Sequence, residues 1–287
     1  PAPPDAIRLA RGLAARGLGV TVGFWNAPGA ALGDVEARWR ETVELLDDEL
    51  DLHVALKAPA LGFDPARIEP LAAAAAAAGA TVHLDAHWPE ATDRTLALAA
   101  RLRALAPVRV ALPARWWRSV GDAAFAVEHG LEVRIVKGEW PQEDEPERDA
   151  REGFVDLAER LAGAPVRVGV ATHDVPLADE ALAALTGAGT PAELELLFGL
   201  PLRRHSLPAR RHGVGVRVYV PFGTPFSPYT LSTVRTDRRA VWWIARDLTG
   251  FRPARWRLES EARRAYRRRG AGGAQGAAGA DAYPRTR

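Results

Sequence analysis

Residues 52–85 read LHVALKAPALGFDPARIEPLAAAAAAAGATVHLD, and the fold is decided by their order. The apolar run 52–56 has the length of a strand and is closed by Lys57 and the turn formers Pro59 and Gly62. Leu71 and the alanines that follow it to position 78 have high helix propensity but little side-chain area, which suits a helix lying close on a sheet. Gly79 then stands where a helix end takes a left-handed residue, and residues 81–84 open a second strand. Strand, helix and strand in this order form a βαβ unit, whose crossover makes the two strands parallel.

The same alternation continues outward in both directions. Strands are expected at 18–25, 52–56, 81–84, 108–112, 132–136, 166–170, 193–197 and 215–220, with Gly130 and Gly213 ending helices as Gly79 does. Eight such units predict an α/β fold, a (β/α)8 TIM-like barrel of about 250 residues. Additional C-terminal helices are expected at 225–240 and, rich in tryptophan, at 241–248. A single domain would span 1–269, and the Gly/Ala-rich stretch 270–287, with little to bury, reads as a disordered tail.

Composition removes several function classes. A net charge of +2 gives no field that favours nucleic acid or an anionic membrane. The absence of cysteine rules out disulfides, thiolate catalysis and Cys-ligated metals, and suits a reducing compartment. No apolar run approaches the ~20 residues of a membrane span. A cytoplasmic location is expected, at most peripheral to the inner membrane. Methionine is missing even at position 1, so the start is expected to be processed or truncated.

In barrels of this kind the chemistry sits at the C-terminal ends of the strands. The strand ends in order are Lys57, Asp85, Pro113 with Arg115, Arg134 with Lys137 and Gly138, Thr172 with His173 and Asp174, Glu193, and Tyr219. Lys57, Arg134 and Lys137 are expected to face few acids, and such uncompensated positive charge favours an anionic ligand. His173 has no partner at metal-ligand spacing, so no metal is expected.

Six motifs in order along these strands resemble those of the FAD-dependent proline dehydrogenase family. They are Leu56-Lys57-Ala58-Pro59-Ala60-Leu61-Gly62, Leu84-Asp85-Ala86, Arg134-Ile135-Val136-Lys137-Gly138, Val170-Ala171-Thr172-His173-Asp174, Glu193-Leu194-Glu195-Leu196-Leu197-Phe198-Gly199 and Arg217-Val218-Tyr219-Val220-Pro221-Phe222-Gly223. Each is weak alone, but six on the right strands are specific. The resemblance implies FAD over the C-terminal ends of the strands. Arg134 would lie near the flavin N5, with Val136, Lys137 and Gly138 lining the ring and phosphates. Thr172 and His173 would hold the pyrophosphate and adenosine side, and Glu193 is grouped with these cofactor residues. Lys57 and Asp85 would sit under the substrate, with Tyr219 and Tyr229 beside it.

The chain departs from that pattern in the last helix. There the family's paired arginines and supporting glutamate are Ser232, Thr233 and Thr236, and two charge-assisted contacts of ~1.5 to 3 kcal/mol each are absent. Arg235 and Arg239 lie on the helical face of Ser232 and are the expected substitutes for gripping a carboxylate. Pro113-Ala114-Arg115 stands for the family's Gln-Ala-Tyr, Glu139-Trp140 for Ala-Tyr, and His87 for an acid. The resulting expectation is a flavoenzyme oxidising proline or a related cyclic or secondary amine to an imine. A quinone or another acceptor would reoxidise it. The alternatives are a non-catalytic binding barrel and a lyase using Lys137 or Lys57 as Schiff base.

Overall fold

The computed structural model describes residues 2–223, apart from 28, 47, 49, 86, 87, 141–144 and 147. Helix α1 (Pro3–Ala14) leads into β1 (Gly19–Trp25), α2 (Leu32–Glu44), β2 (Leu52–Leu56), α3 (Pro65–Ala77), β3 (Thr81–Leu84), α4 (Thr92–Leu102) and β4 (Val108–Pro113). There follow α5 (Ser119–Glu128), β5 (Glu132–Val136), α6 (Ala150–Arg160), β6 (Val168–Ala171), α7 (Val175–Gly187), β7 (Ala192–Leu197), α8 (Leu202–His205), α9 (Leu207–His212) and β8 (Gly215–Gly223). The strands pair in sequence order, all parallel, and β8 closes on β1. Gly79, Gly130 and Gly213 adopt φ values of +70°, +62° and +66°. The helices expected after 224 and the tail lie outside the described residues.

The larger shifts in boundary from expectation have local reasons. Helix α3 starts at Pro65, because the Asp64 side chain accepts from the Ala66 N–H and caps it there. Strand β6 starts at Val168, the first residue in register with β7 through Ala192. Strand β8 runs on to Gly223, because β1 reaches Trp25 and pairs with it there.

Period-2 alternation divides every strand between two environments. Val20, Val22, Val54, Val82, Val110, Val133, Ile135, Val170, Leu194, Leu196, Val218 and Val220 are buried and form, with the inner faces of the helices, one core around the barrel. The alternate positions face inward, and there the usual layers of branched apolar residues are replaced by charge. Arg109, Arg217, Glu193, Glu195, His53, His83 and Thr21 are all buried. Space for these long side chains comes from small inward residues such as Gly19, Gly23 and Gly169. A Cβ on Gly23 would lie 2.1 Å from the Tyr219 hydroxyl, and one on Gly169 would lie 3.1 Å from Arg109 Nη1.

Candidate functional site

The inward charges form a ladder along the barrel axis. At its N-terminal end Arg217 donates to both oxygens of Asp51 at 2.7 and 2.8 Å, to Glu193 at 2.8 Å, and to the carbonyls of Val20 and Asp51. Arg109 donates to Glu193 and, at 2.7 and 3.0 Å, to Glu132. Burial alone would raise the Glu193 carboxyl, but Arg109 and Arg217 outweigh it and hold the group down to about 2. Glu193 thus lies near the start of β7, deep in the lower barrel and not at a strand end. That placement corrects the expectation that it belongs to the cofactor residues at the mouth.

Glu195, two residues further up β7, links the two halves. It lies 3.8 Å from Arg109 and 3.1 Å from Arg134 Nε, yet neither of its oxygens is aligned for a hydrogen bond. Burial, with Glu193 adding to it against Arg134 and Arg109, raises its carboxyl.

At the C-terminal end Asp85 is the hub. Arg134 Nη1 donates to Oδ1 at 3.2 Å and the Tyr219 hydroxyl to Oδ2 at 3.0 Å. Trp25 Nε1 reaches the same hydroxyl at 3.4 Å. The Arg134 guanidinium lies 4.9 Å from the centre of the Tyr219 ring. Burial and the Asp85 carboxylate push the phenol well above its ordinary value, so Tyr219 is a hydrogen-bond donor at any working pH. Lys57, half-buried, places its ammonium 5.0 Å over the Trp25 ring. Burial lowers its amine, opposed by Asp85 and Glu139. The mouth is therefore not short of acids. Asp85 and Glu195 flank Arg134, and the expected uncompensated charge is corrected to a partly neutralised one.

The ends of β5 and β6 carry polar groups as well. Val136 ends β5, Lys137 follows it, and Gly138 takes φ +90° where a Cβ would lie 2.8 Å from Pro113 Cβ. Thr172 is buried, and its hydroxyl oxygen accepts from the Asp174 N–H at 3.1 Å. Asp174 caps α7 by accepting from Leu177. His173 accepts at Nε2 from the Leu197 N–H at 2.8 Å. Burial, with His205 and Lys137, lowers its imidazole to about 4, so at neutral pH the ring is uncharged. An uncharged ring accepting at Nε2 carries its proton on Nδ1. That Nδ1 is buried and has no hydrogen-bond partner among the described residues.

Lys57, Asp85, Arg134 and Tyr219 are thus brought together, and Lys137, Gly138, Thr172 and His173 follow the adjoining strands β5 and β6. Tyr229, Ser232, Thr233, Arg235 and Arg239 lie outside the described residues. Sequence reading missed Glu195 and His83. The available signal was a polar residue between two outward apolar ones, as in Leu194-Glu195-Leu196 and Val82-His83-Leu84.

Solved structures of proline utilization A share this barrel. The protein of Bdellovibrio bacteriovorus, inactivated by N-propargylglycine, matches with a TM-score of 0.65 at 18% identity, over 78% of this chain and 30% of its own. That of Corynebacterium freiburgense matches at 0.59 and 20% identity, over 89% and 30%. A variant from Bradyrhizobium japonicum matches at 0.59 and 19%, over 72% and 26%. At these identities the likeness is one of fold, and the chain spans less than a third of each. No family model and no curated protein matches the chain. Among the described residues no helix is long and apolar enough to cross a membrane.

Proposed function

We propose that the chain is a proline-dehydrogenase-like flavoenzyme that removes hydride from a carbon next to nitrogen, in proline or a related cyclic or secondary amine, and leaves an imine. The observation that carries this reading is the Tyr219–Asp85–Arg134 triad at the mouth with Lys57 beside it. Its members are the residues at which the sequence motifs expect flavin and substrate to meet. The barrel shared with proline utilization A supports it.

The residues present fit an anionic dinucleotide cofactor. The orphaned Nδ1 donor of His173 suits a phosphate or ribose oxygen. Lys137 and Gly138 follow the same strand as Arg134, where charge and a side-chain-free backbone are both at hand. Arg134, Val136, Lys137 and Gly138 would hold the flavin end, and Thr172 and His173 the phosphate and adenosine end. FAD, when bound, accepts the hydride. Asp85, Tyr219 and Lys57 orient the amine and keep its carbon facing that acceptor. A nearby guanidinium stabilises the negative charge that develops on reduction, which is the role of Arg134. A quinone or another carrier would be the acceptor that reoxidises the flavin.

The test is to purify the full chain, supplement it with FAD and follow flavin absorbance in the blue under anaerobic conditions. Bleaching on addition of proline, pyrrolidine or N-methyl amino acids is the expected result. A protein that takes up no FAD, or holds it and is reduced by none of these amines, overturns the reading. One observation favours a second reading: the Lys57 amine is held below its ordinary range by burial, as a Schiff-base nucleophile requires. Borohydride trapping of an aldehyde or ketone on Lys57 distinguishes the two.

A further inference from the structure

Directly beneath Asp85 on β3 lies His83, two residues earlier and therefore on the same inward face. Its side chain is fully buried. Among the described residues neither ring nitrogen makes a hydrogen bond, yet Nε2 lies 3.4 Å from Asp85 Oδ1. The proposed reaction assigns nothing to this residue. A buried imidazole without a hydrogen bond costs about 1–3 kcal/mol that a leucine of similar volume would not. Other inward groups share the barrel interior with it. From β2 comes His53, from β4 Arg109, from β5 Arg134, from β7 Glu195, and from β8 Arg217 and Tyr219. The arginines are donors already engaged with carboxylates, and Tyr219 donates to Asp85. Glu195 is a second buried acceptor and faces Arg134 and Arg109, whereas Asp85 Oδ1 is the carboxylate oxygen found 3.4 Å from the ring. Burial, and then Arg134, Arg109 and Arg217, hold the ring uncharged.

We infer that His83 is a positioning residue, whose Nε2–H, after a small rotation of the ring, donates to Asp85 Oδ1 and fixes that carboxylate between Arg134 and Tyr219. Three donors then lock both oxygens of the hub. Arg134 and the Tyr219 hydroxyl are held in turn, since each has Asp85 as its hydrogen-bond acceptor. His83 touches neither substrate nor cofactor in this role and acts through Asp85. The inference rests on the proposed amine oxidation for its consequence in turnover, but its geometry stands apart from that reading.

The experiment uses the full chain and has two arms. In the first, long-range 1H–15N spectra of the protein without added flavin report the tautomer of His83. The expected result is an uncharged ring protonated at Nε2, unchanged from about pH 5 to 8, whose Nε2 resonance moves in Asp85→Asn. A ring protonated at Nδ1, or one that titrates in that interval, overturns the inference whether or not the protein oxidises amines. In the second, His83→Leu and His83→Gln are loaded with FAD and reduced by whichever amine reduces the wild type. The leucine variant, which keeps the volume and loses the donor, should bind FAD normally and be reduced about tenfold more slowly at saturating amine. The glutamine variant should recover most of that loss. Equal rates for all three proteins overturn the inference while leaving the proposed function intact. If no amine reduces the wild type, the proposed function fails and the tautomer alone decides.

Discussion

At the N-terminal end of the barrel interior, Arg217 is saturated: two carboxylates and two backbone carbonyls take its N–H groups. At the C-terminal end, among the described residues, Arg134 has a single hydrogen bond, to Asp85, and its Nε lies 3.1 Å from Glu195 without alignment for one. Both guanidinia are in a low-dielectric interior, where an unmet valence is expensive. The lower network therefore meets the cost of burying charge internally, as a structural element must. Among the described residues the upper one leaves donors and acceptors unmet, the pattern expected of a binding site rather than of salt bridges that hold a fold together.

Breaking the lower network should have the largest effect. Arg217→Met strips Asp51 of its partner and leaves the buried Glu193 carboxylate with Arg109 alone. A loss of about 3–5 kcal/mol is expected, or roughly 10 °C in the midpoint of thermal unfolding. The acid dependence follows with a definite sign. Glu193 has a folded value of about 2 against an ordinary 4.5. Its stabilisation is thus complete above the ordinary value and is lost as pH falls through that range towards about 2. In Arg217→Met this part of the acid unfolding curve should flatten. A midpoint within about 2 °C of wild type would show that the lower network does not carry the fold.

The outward half of the barrel was legible in the sequence and the inward half was not. Runs such as Val20–Val22 and Val133–Ile135 alternate with residues that burial patterns alone cannot assign, because an inward arginine and a solvent-facing one look identical along the chain. Glu193 illustrates this. A family motif begins with it, so it reads as a strand-end residue, yet the register with Gly169 and Gly215 sets it low in the barrel. Lys57, Asp85, Arg134 and Tyr219 were legible because their motifs come at the ends of recognisable strands. That Asp85 joins Arg134 to Tyr219 was not, since the contact spans residues 134 positions apart. His83 received no role for a related reason: only its distance to Asp85 suggests one.

Opening the upper network should leave the fold almost untouched and reach the chemistry. Arg134→Met removes a cation beside Glu195, whose carboxyl burial already favours in the protonated form. Glu195 then takes up a proton and little stability is lost. With FAD bound, the rate of flavin reduction should fall by about 10²-fold, the scale for losing one preorganised group at a developing charge. Stopped-flow reduction under anaerobic conditions measures it. A variant reduced at the wild-type rate would remove Arg134 from the chemistry and make its ion pairs structural, like those of Arg217.

The smallest effect should fall on the β6 side of the mouth, where His173 offers a donor and Thr172 a hydroxyl. His173 is fixed by its own surroundings: the Leu197 N–H occupies Nε2, and an imidazole lowered to about 4 cannot take a second proton at neutral pH. Among the described residues the proton on Nδ1 has no acceptor, and under the proposed function FAD supplies one. One hydrogen bond to a charged acceptor is worth about 1.5 kcal/mol or more, so His173→Ala should weaken FAD binding about tenfold. Thr172 already uses its oxygen on the Asp174 N–H and has only its hydroxyl proton to offer, so Thr172→Ala should weaken binding by less. In both variants the loaded fraction should be reduced at the wild-type rate, because neither residue contacts Asp85 or Arg134. Flavin-fluorescence titrations give the affinities. Across about pH 5–8 the affinity of the wild type should be flat as far as His173 is concerned, because the ring stays uncharged throughout that range. A loss of affinity centred near the ordinary histidine value that vanishes in His173→Ala would show instead that the ring titrates freely, and that its Nδ1 proton is not reserved for the cofactor.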